Sequence, residues 1–292
     1  MVNRRRKLTT REQLQQLLQL AGEEQLQAAV AAMTASRDLE VVQSAINILR
    51  EAERPDLRDA LLQKYQWCQE QPNRRDGGGF IRASIIRAMI PVSAPDDSRL
   101  FQQAILTYEM DGPTEVCGDL RAAGLIALNE IDPELAESYS ARFLLDPQFT
   151  FSGEPVTTAI KVLVSHQNLA PIFAVVSWNM GRNDVIAEGL RSLTDLQDDL
   201  VPLLVDRYIE NEDEQIILGL FELLLGHRTR DAWASTIEKW FRTTTVMDLY
   251  GIVAIQVVAS RSETLINMLR NIRTQEADLL RQELLDQALA LV

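Results

Sequence analysis

The sequence predicts an all-α protein, an α-solenoid of about sixteen helices stacked as antiparallel pairs. Apolar residues recur at i, i+3, i+4 and i+7 from end to end, and strand-like alternation is scarce. A small residue returns at a nearly constant interval, at Ala45, Ser84, Ala123, Ala159, Gly189, Gly219 and Ala254, with spacings of 39, 39, 36, 30, 30 and 35. Four residues after each stands Leu49, Ala88, Ala127, Leu163, Leu193, Leu223 or Val258, every one apolar. A small side chain lets a neighbouring helix come close, and the residue one turn later fills the contact. That pattern belongs to stacked helix pairs, none of which buries its apolar face alone.

The elements follow in order. Residues 1–8 hold Arg4, Arg5, Arg6 and Lys7 and read as a disordered basic tail. Thr9 and Glu12 have the spacing of a capping box and open the first helix. The segment VVQSAINIL carries the first small residue, and Pro55 after Arg54 suits a first helical turn. Next comes RRDGGG, Arg74 to Gly79, ahead of the helical FIRASIIRAM. DLRAAGLIALNEI and a helix opened by Pro133 after Asp132 continue the array. The helical pattern lapses over 144–155, where two halves of a single array over 1–292 are expected to join. Beyond it VTTAIKVLV, IAEGLRSL, ILGLFELL and GIVAIQVV each read as a helix. Between them the acidic runs DLQDDL and ENEDE read as solvated turns, and His166 and His227 as residues at helix ends.

Composition narrows the class. The 292 residues are 46% hydrophobic, 24% charged and only 6% aromatic, which suits Ala- and Leu-packed helices. The net charge of −13 is uneven: residues 1–100 carry 15 Lys+Arg against 13 Asp+Glu, residues 101–292 carry 14 against 29. An acidic body repels nucleic acid over most of its surface. The basic start is followed at once by Arg11, Glu12 and Gln13 rather than an apolar run, so no export signal is read. The apolar stretches Ile216 to Leu225 and Gly251 to Ala259 fall short of the roughly 20 residues a bilayer needs. Cys68 and Cys117 show neither disulfide-scaffold nor zinc spacing, and a reducing cytoplasm is the expected location.

The wording of two repeats goes further. DLRAAGLIALNEI resembles the second helix of a HEAT unit, with an aspartate, an apolar residue, an arginine, then alanines and leucines. FIRASIIRAM is similar, with Phe80 leading and no aspartate. The repeats from Val156 onward lack the arginine, and there armadillo-like or irregular HEAT-like units fit as well. The HEAT-repeat resemblance implies a right-handed superhelix whose second helices line a concave surface. On that face the polar positions beside the small residues, Gln43, Asn47, Arg82, Arg87, Arg121, Lys161 and Arg191, are expected to meet a partner.

The sequence carries no motif of known chemistry. The glycine run is no P-loop, which needs GxxxxGK[ST] after a strand. It is expected to be a turn, and secondarily a contact loop in which Arg74 and Arg75 meet an acidic partner or a phosphate. No HExxH, EF-hand, GxSxG, GxGxxG or Cys–His pairing occurs. The HEAT-like di-iron hydroxylases use His-Glu dipeptides, and this chain has His166-Gln167 and His227-Arg228. Trp67, Trp178, Trp233 and Trp240 are expected to pack between helices. The expected function is therefore a non-enzymatic, cofactor-free scaffold for a protein or peptide. Two rivals are a HEAT-like alkylpurine DNA glycosylase type of nucleic-acid protein, which would need a basic face with an exposed Trp, and a HEAT-like chromophore lyase subunit.

Overall fold

The computed structural model describes residues 9–146 and 152–291. The predicted basic tail over 1–8 and residues 147–151 of the predicted lapse over 144–155 lie outside the described residues. Eighteen α-helices and one short hairpin are present among the described residues. The chain divides into two compact units, Met1–Val162 and Leu163–Val292, so the division falls inside a helix.

Unit 1 holds α1 (Thr10–Gln19), α2 (Gly22–Ala35), α3 (Leu39–Ala52), α4 (Arg58–Glu70), the four-residue α5 (Pro72–Arg75), α6 (Phe80–Met89) and α7 (Ser98–Ile105). A two-stranded hairpin, β1 (Met110–Asp111) and β2 (Thr114–Glu115), leads to α8 (Gly118–Ile131), α9 (Pro133–Phe143) and most of α10 (Val156–Ser165). Pairing recurs along the unit: α2 packs on α3, α4 on α6, and α7 on α8. The second helix of each pair packs on the next, α3 against α6 and α6 against α8. Capping sets several starts. Thr9 and Glu12 form the expected box, with the Glu12 carboxylate accepting from the Thr9 N–H at 2.8 Å and the Glu12 N–H donating to Thr9 Oγ1 at 3.3 Å. Asp38 caps α3 and Asp132 caps α9, each cap contributing about 1 kcal/mol.

Unit 2 contains α11 (Ala170–Ser177), α12 (Asn183–Arg191), α13 (Val201–Tyr208), α14 (Glu214–Gly226), α15 (Ala234–Thr243), α16 (Met247–Ala259), α17 (Glu263–Gln275) and α18 (Leu279–Leu289). Its second helices, α12, α14, α16 and α18, pack successively, while α11 meets α13 and α15 meets α17. Glycine makes the closest approach possible: a Cβ on Gly219 would stand 2.5 Å from the carbonyl oxygen of Ala187. Edge-to-face contacts join Phe221, Trp240, Phe241 and Tyr250 in its core, at centroid distances of 4.7, 5.3 and 4.9 Å.

The small-residue register holds in both units. All seven small residues lie on helices, six of them on the second helices α3, α6, α8, α12, α14 and α16 and Ala159 on α10. Six are buried and Ser84 is half-buried, and every apolar residue four positions later is buried.

Candidate functional site

The concentration of chemistry is in unit 1, where three turn-side segments meet. Ser36 and Arg37 come from the turn between α2 and α3, Lys64 and Trp67 from the last half of α4, and Arg74 and Arg75 from α5. Together with Gln71 and Ile81 they line a cavity of about 360 Å³. Four cations and one indole thus line the same cavity. The Lys64 ammonium lies 4.3 Å from the Trp67 ring centroid and the Arg75 guanidinium carbon 4.5 Å from it. Such cation–π contacts contribute about 0.5–2 kcal/mol each.

The four cations differ in what holds them. Arg75 folds back on α4, donating to the Trp67 carbonyl at 2.6 Å and to Glu70 at 2.7 Å. Arg37 and Arg74 are exposed, and neither guanidinium has an acceptor or a carboxylate among the described residues. Lys64 is the anomaly, because its residue is only 6% exposed while its ammonium has no hydrogen bond or ion pair among the described residues. Burial pulls its pKa below the ordinary lysine value, against smaller opposing influences of Cys68 and Asp76. The lysine stem is buried and the ammonium reaches the cavity, which partly desolvates the charge without sealing it from water.

The carboxylate whose charge reaches Lys64 is already spent elsewhere. Asp76 accepts from the N–H of Ile81 at 2.7 Å, from the N–H of Arg82 at 3.1 Å and from Arg82 Nε at 2.8 Å. It thereby fills the helix N-terminus that a phosphate would occupy in a glycine-loop cradle. The glycines have conformational and packing reasons instead. Gly78 and Gly79 have φ of +82° and +71°, and a Cβ on Gly79 would press on Leu120 at 3.1 Å and Cys117 Sγ at 3.2 Å. The loop is a tight turn against α8, and the cavity opens beside it.

The residues expected on a partner-binding face scatter. Arg82 and Arg121 are corrected outright: they are 2% and 0% exposed, so neither is accessible to a partner. Arg82 is paired with Asp76 and, at 2.7 Å, with Glu109. Burial would lower its pKa, but the hydrogen bonds and charges of these carboxylates outweigh that and hold it above its ordinary value. Arg121 donates to the Ile105 carbonyl at 3.1 Å, to Glu115 at 3.1 Å, and to Tyr108 Oη and Asp146 at 2.5 Å each. Burial raises the Glu115 carboxyl despite that guanidinium. Arg87 is bound to Asp119, and Arg191 to Glu188 and Glu222 at 2.8 Å each. Asn47 and Lys161 are exposed and Gln43 is half-buried. Lys161 belongs to unit 1 and Arg191 to unit 2. Only Arg74 and Arg75 of the expected residues line the cavity; Lys64, Trp67 and Arg37 were not anticipated there.

Other chemistry-bearing groups have structural employment. His227 is buried at the end of α14, its Nε2 2.9 Å from the Leu196 carbonyl and its Nδ1 2.7 Å from Thr229 Oγ1. Burial pushes the Cys68 thiol up to about 11 and that of Cys117 up to about 12, so both are held as unreactive thiols. Trp240 packs as expected, whereas Trp178 is 74% exposed and Trp67 38% exposed. A shallower cavity of about 620 Å³ in unit 2 is lined by Ile255, Val258 and Ile266, with Arg261 its charged member.

No group of His, Cys, Asp and Glu among the described residues has the arrangement to hold a metal ion. No helix among the described residues is long and apolar enough to cross a membrane. Compared with protein-family models and with curated proteins, the sequence has no significant match.

Proposed function

We propose that this protein is a non-enzymatic interaction scaffold, a right-handed array of HEAT-like helix pairs, and that it docks an acidic segment of a protein partner. The observation that carries the reading is the cavity at Trp67, where the side chains of Arg37, Lys64 and Arg74 stand with no ion-paired carboxylate among the described residues. In a chain of net charge −13, unneutralised cations gathered around one cavity favour an anionic ligand. The docking point lies among turns at the ends of helices rather than on the second-helix face expected from the HEAT resemblance. Rigid helices behind it support little loss of entropy on binding. The thiols of Cys68 and Cys117, buried and unbridged, are in keeping with a reducing cytoplasm.

A nucleic-acid ligand is the second reading, because Trp67 beside Arg37 and Arg74 is the aromatic-with-basic combination that such binding uses. The 29 acidic residues of 101–292 weigh against it. One experiment separates the two: affinity capture from the native host with wild-type protein and with the R37Q/R74Q variant, each with and without nuclease. A protein held by the wild type through nuclease treatment and lost by the variant supports the scaffold. Recovery that vanishes with nuclease supports nucleic acid, and recovery equal for both proteins refutes the cavity as the docking point.

A further inference from the structure

We propose that the cavity at Trp67 is a phosphate-monoester site, and that the acidic segment it receives is anchored by a phosphorylated side chain. This rests on the reading of the cavity as a docking point and names the chemistry of its ligand.

The argument is one of charge, donor number and room. Arg37, Lys64 and Arg74 bring three positive charges to the cavity with no acceptor among the described residues. A single carboxylate of a partner would neutralise one of them. A phosphate monoester brings a charge of about −1.5 to −2 and three strong acceptor oxygens at neutral pH. Two arginines supply forked, planar donors matched to such oxygens, and a lysine adds a point charge between them. The Ser36 hydroxyl, which accepts from the Asp38 N–H at 3.1 Å, also lines the cavity and has its own proton to donate.

Lys64 is the most enclosed of the three cations. Its stem is buried while its ammonium opens to the cavity, so a cation partly stripped of water is presented to a ligand there. Trp67 holds it by the ring face while leaving its hydrogen-bonding protons without acceptors. Asp76 does not serve as its partner, since its oxygens are engaged by α6. Arg75 is bound to Glu70 and Trp67 and acts as a wall, so the unmet demand comes from Arg37, Lys64 and Arg74.

The test is calorimetric titration of the full chain with two matched probes, N-acetyl-O-phosphoserine amide and N-acetyl-glutamate amide, alongside inorganic phosphate. The phosphoserine probe is expected to bind at least tenfold more tightly than the glutamate probe at pH 7.5. Its affinity should fall as pH drops through the second phosphate ionisation near 6. R37Q/R74Q, whose changes are on exposed side chains, should lower the affinity at least tenfold, and K64M should do so independently. Equal binding of the two probes overturns the phosphate assignment and leaves the acidic-partner reading standing. Binding of neither overturns both. Tight inorganic phosphate with no binding of the phosphoserine probe refutes an anchor carried on a protein.

Discussion

Arg82 and Arg121 carry the same charge as Arg37 and Lys64 and belong to the same unit, yet the protein treats the two sets in opposite ways. The first pair sits in the interior with a carboxylate assigned to each side of each guanidinium: Asp76 and Glu109 for Arg82, Glu115 and Asp146 for Arg121. The second set gathers around Trp67 with no carboxylate of its own. Acidic residues are plentiful in this chain, 42 against 29 basic ones. Their absence from one cationic cavity is therefore a matter of placement. Paired interior cations hold the structure, and unpaired ones at a cavity hold something else.

The largest test of that contrast is Arg121→Met. It leaves Glu115 and Asp146 without their cation, and breaking a buried pair from one side costs about 3–5 kcal/mol. Chemical denaturation should show unit 1 unfolding at a much lower midpoint; an unchanged midpoint would remove the structural role. Asp76→Ala comes next. It strips Ile81, Arg82 N–H and Arg82 Nε of an acceptor at once, but Glu109 remains, so about 2–3 kcal/mol is expected by the same measurement.

Lys64→Met should act with the opposite sign. Replacing this partly desolvated ammonium by an apolar chain of similar length removes its desolvation penalty but also its contact with Trp67, so the net stabilisation in the absence of ligand is expected to stay below about 1 kcal/mol. The pH dependence sharpens it. The folded pKa of Lys64 lies below its ordinary value of 10.5, and at neutral pH both states are charged, so the penalty is fully present. As pH rises through the folded pKa toward 10.5, the folded state releases its proton first and the penalty fades. The advantage of K64M over wild type should thus be greatest near pH 7 and shrink in alkaline buffer, as read by paired thermal melts. A lysine that found a partner would reverse the sign. The smallest effect is expected from R37Q/R74Q, within about 0.5 kcal/mol of wild type, because both side chains are exposed and unbonded.

Much of the helix stacking was legible because it depends on local, repeated constraints. A position that must be small for a neighbour to approach is visible in any single repeat, as at Ala123 and Gly219, and the period then locates the second helices. Thr9 with Glu12, and Asp132 with Pro133, are readable for the same reason. The cavity was only partly legible. Arg74 and Arg75 stand out beside glycines, but Lys64 sits inside an ordinary helical pattern, and nothing within α4 announces that residues 36–37 and 74–75 come to meet it. The reverse error at Arg82 and Arg121 has the same origin. A long polar side chain on a second helix reads as groove-facing until the carboxylates that draw it inward are located.

Two of those carboxylates, Glu109 and Glu115, arrive by way of the hairpin, which no strand signal announced, since each strand has two residues around Gly112 and Pro113. Glu109 precedes it and reaches α6; Glu115 ends it and reaches α8. In a linear array each repeat is usually coupled to its neighbours by the apolar surface between them, and the terminal pairs fray first. Here a connection between two helices also neutralises charge in two successive repeats. A fragment ended before residue 106 would keep Arg82 with Asp76 but lose Glu109, the second of its two carboxylates. The hairpin thus supplies a link between neighbouring repeats that is electrostatic as well as apolar.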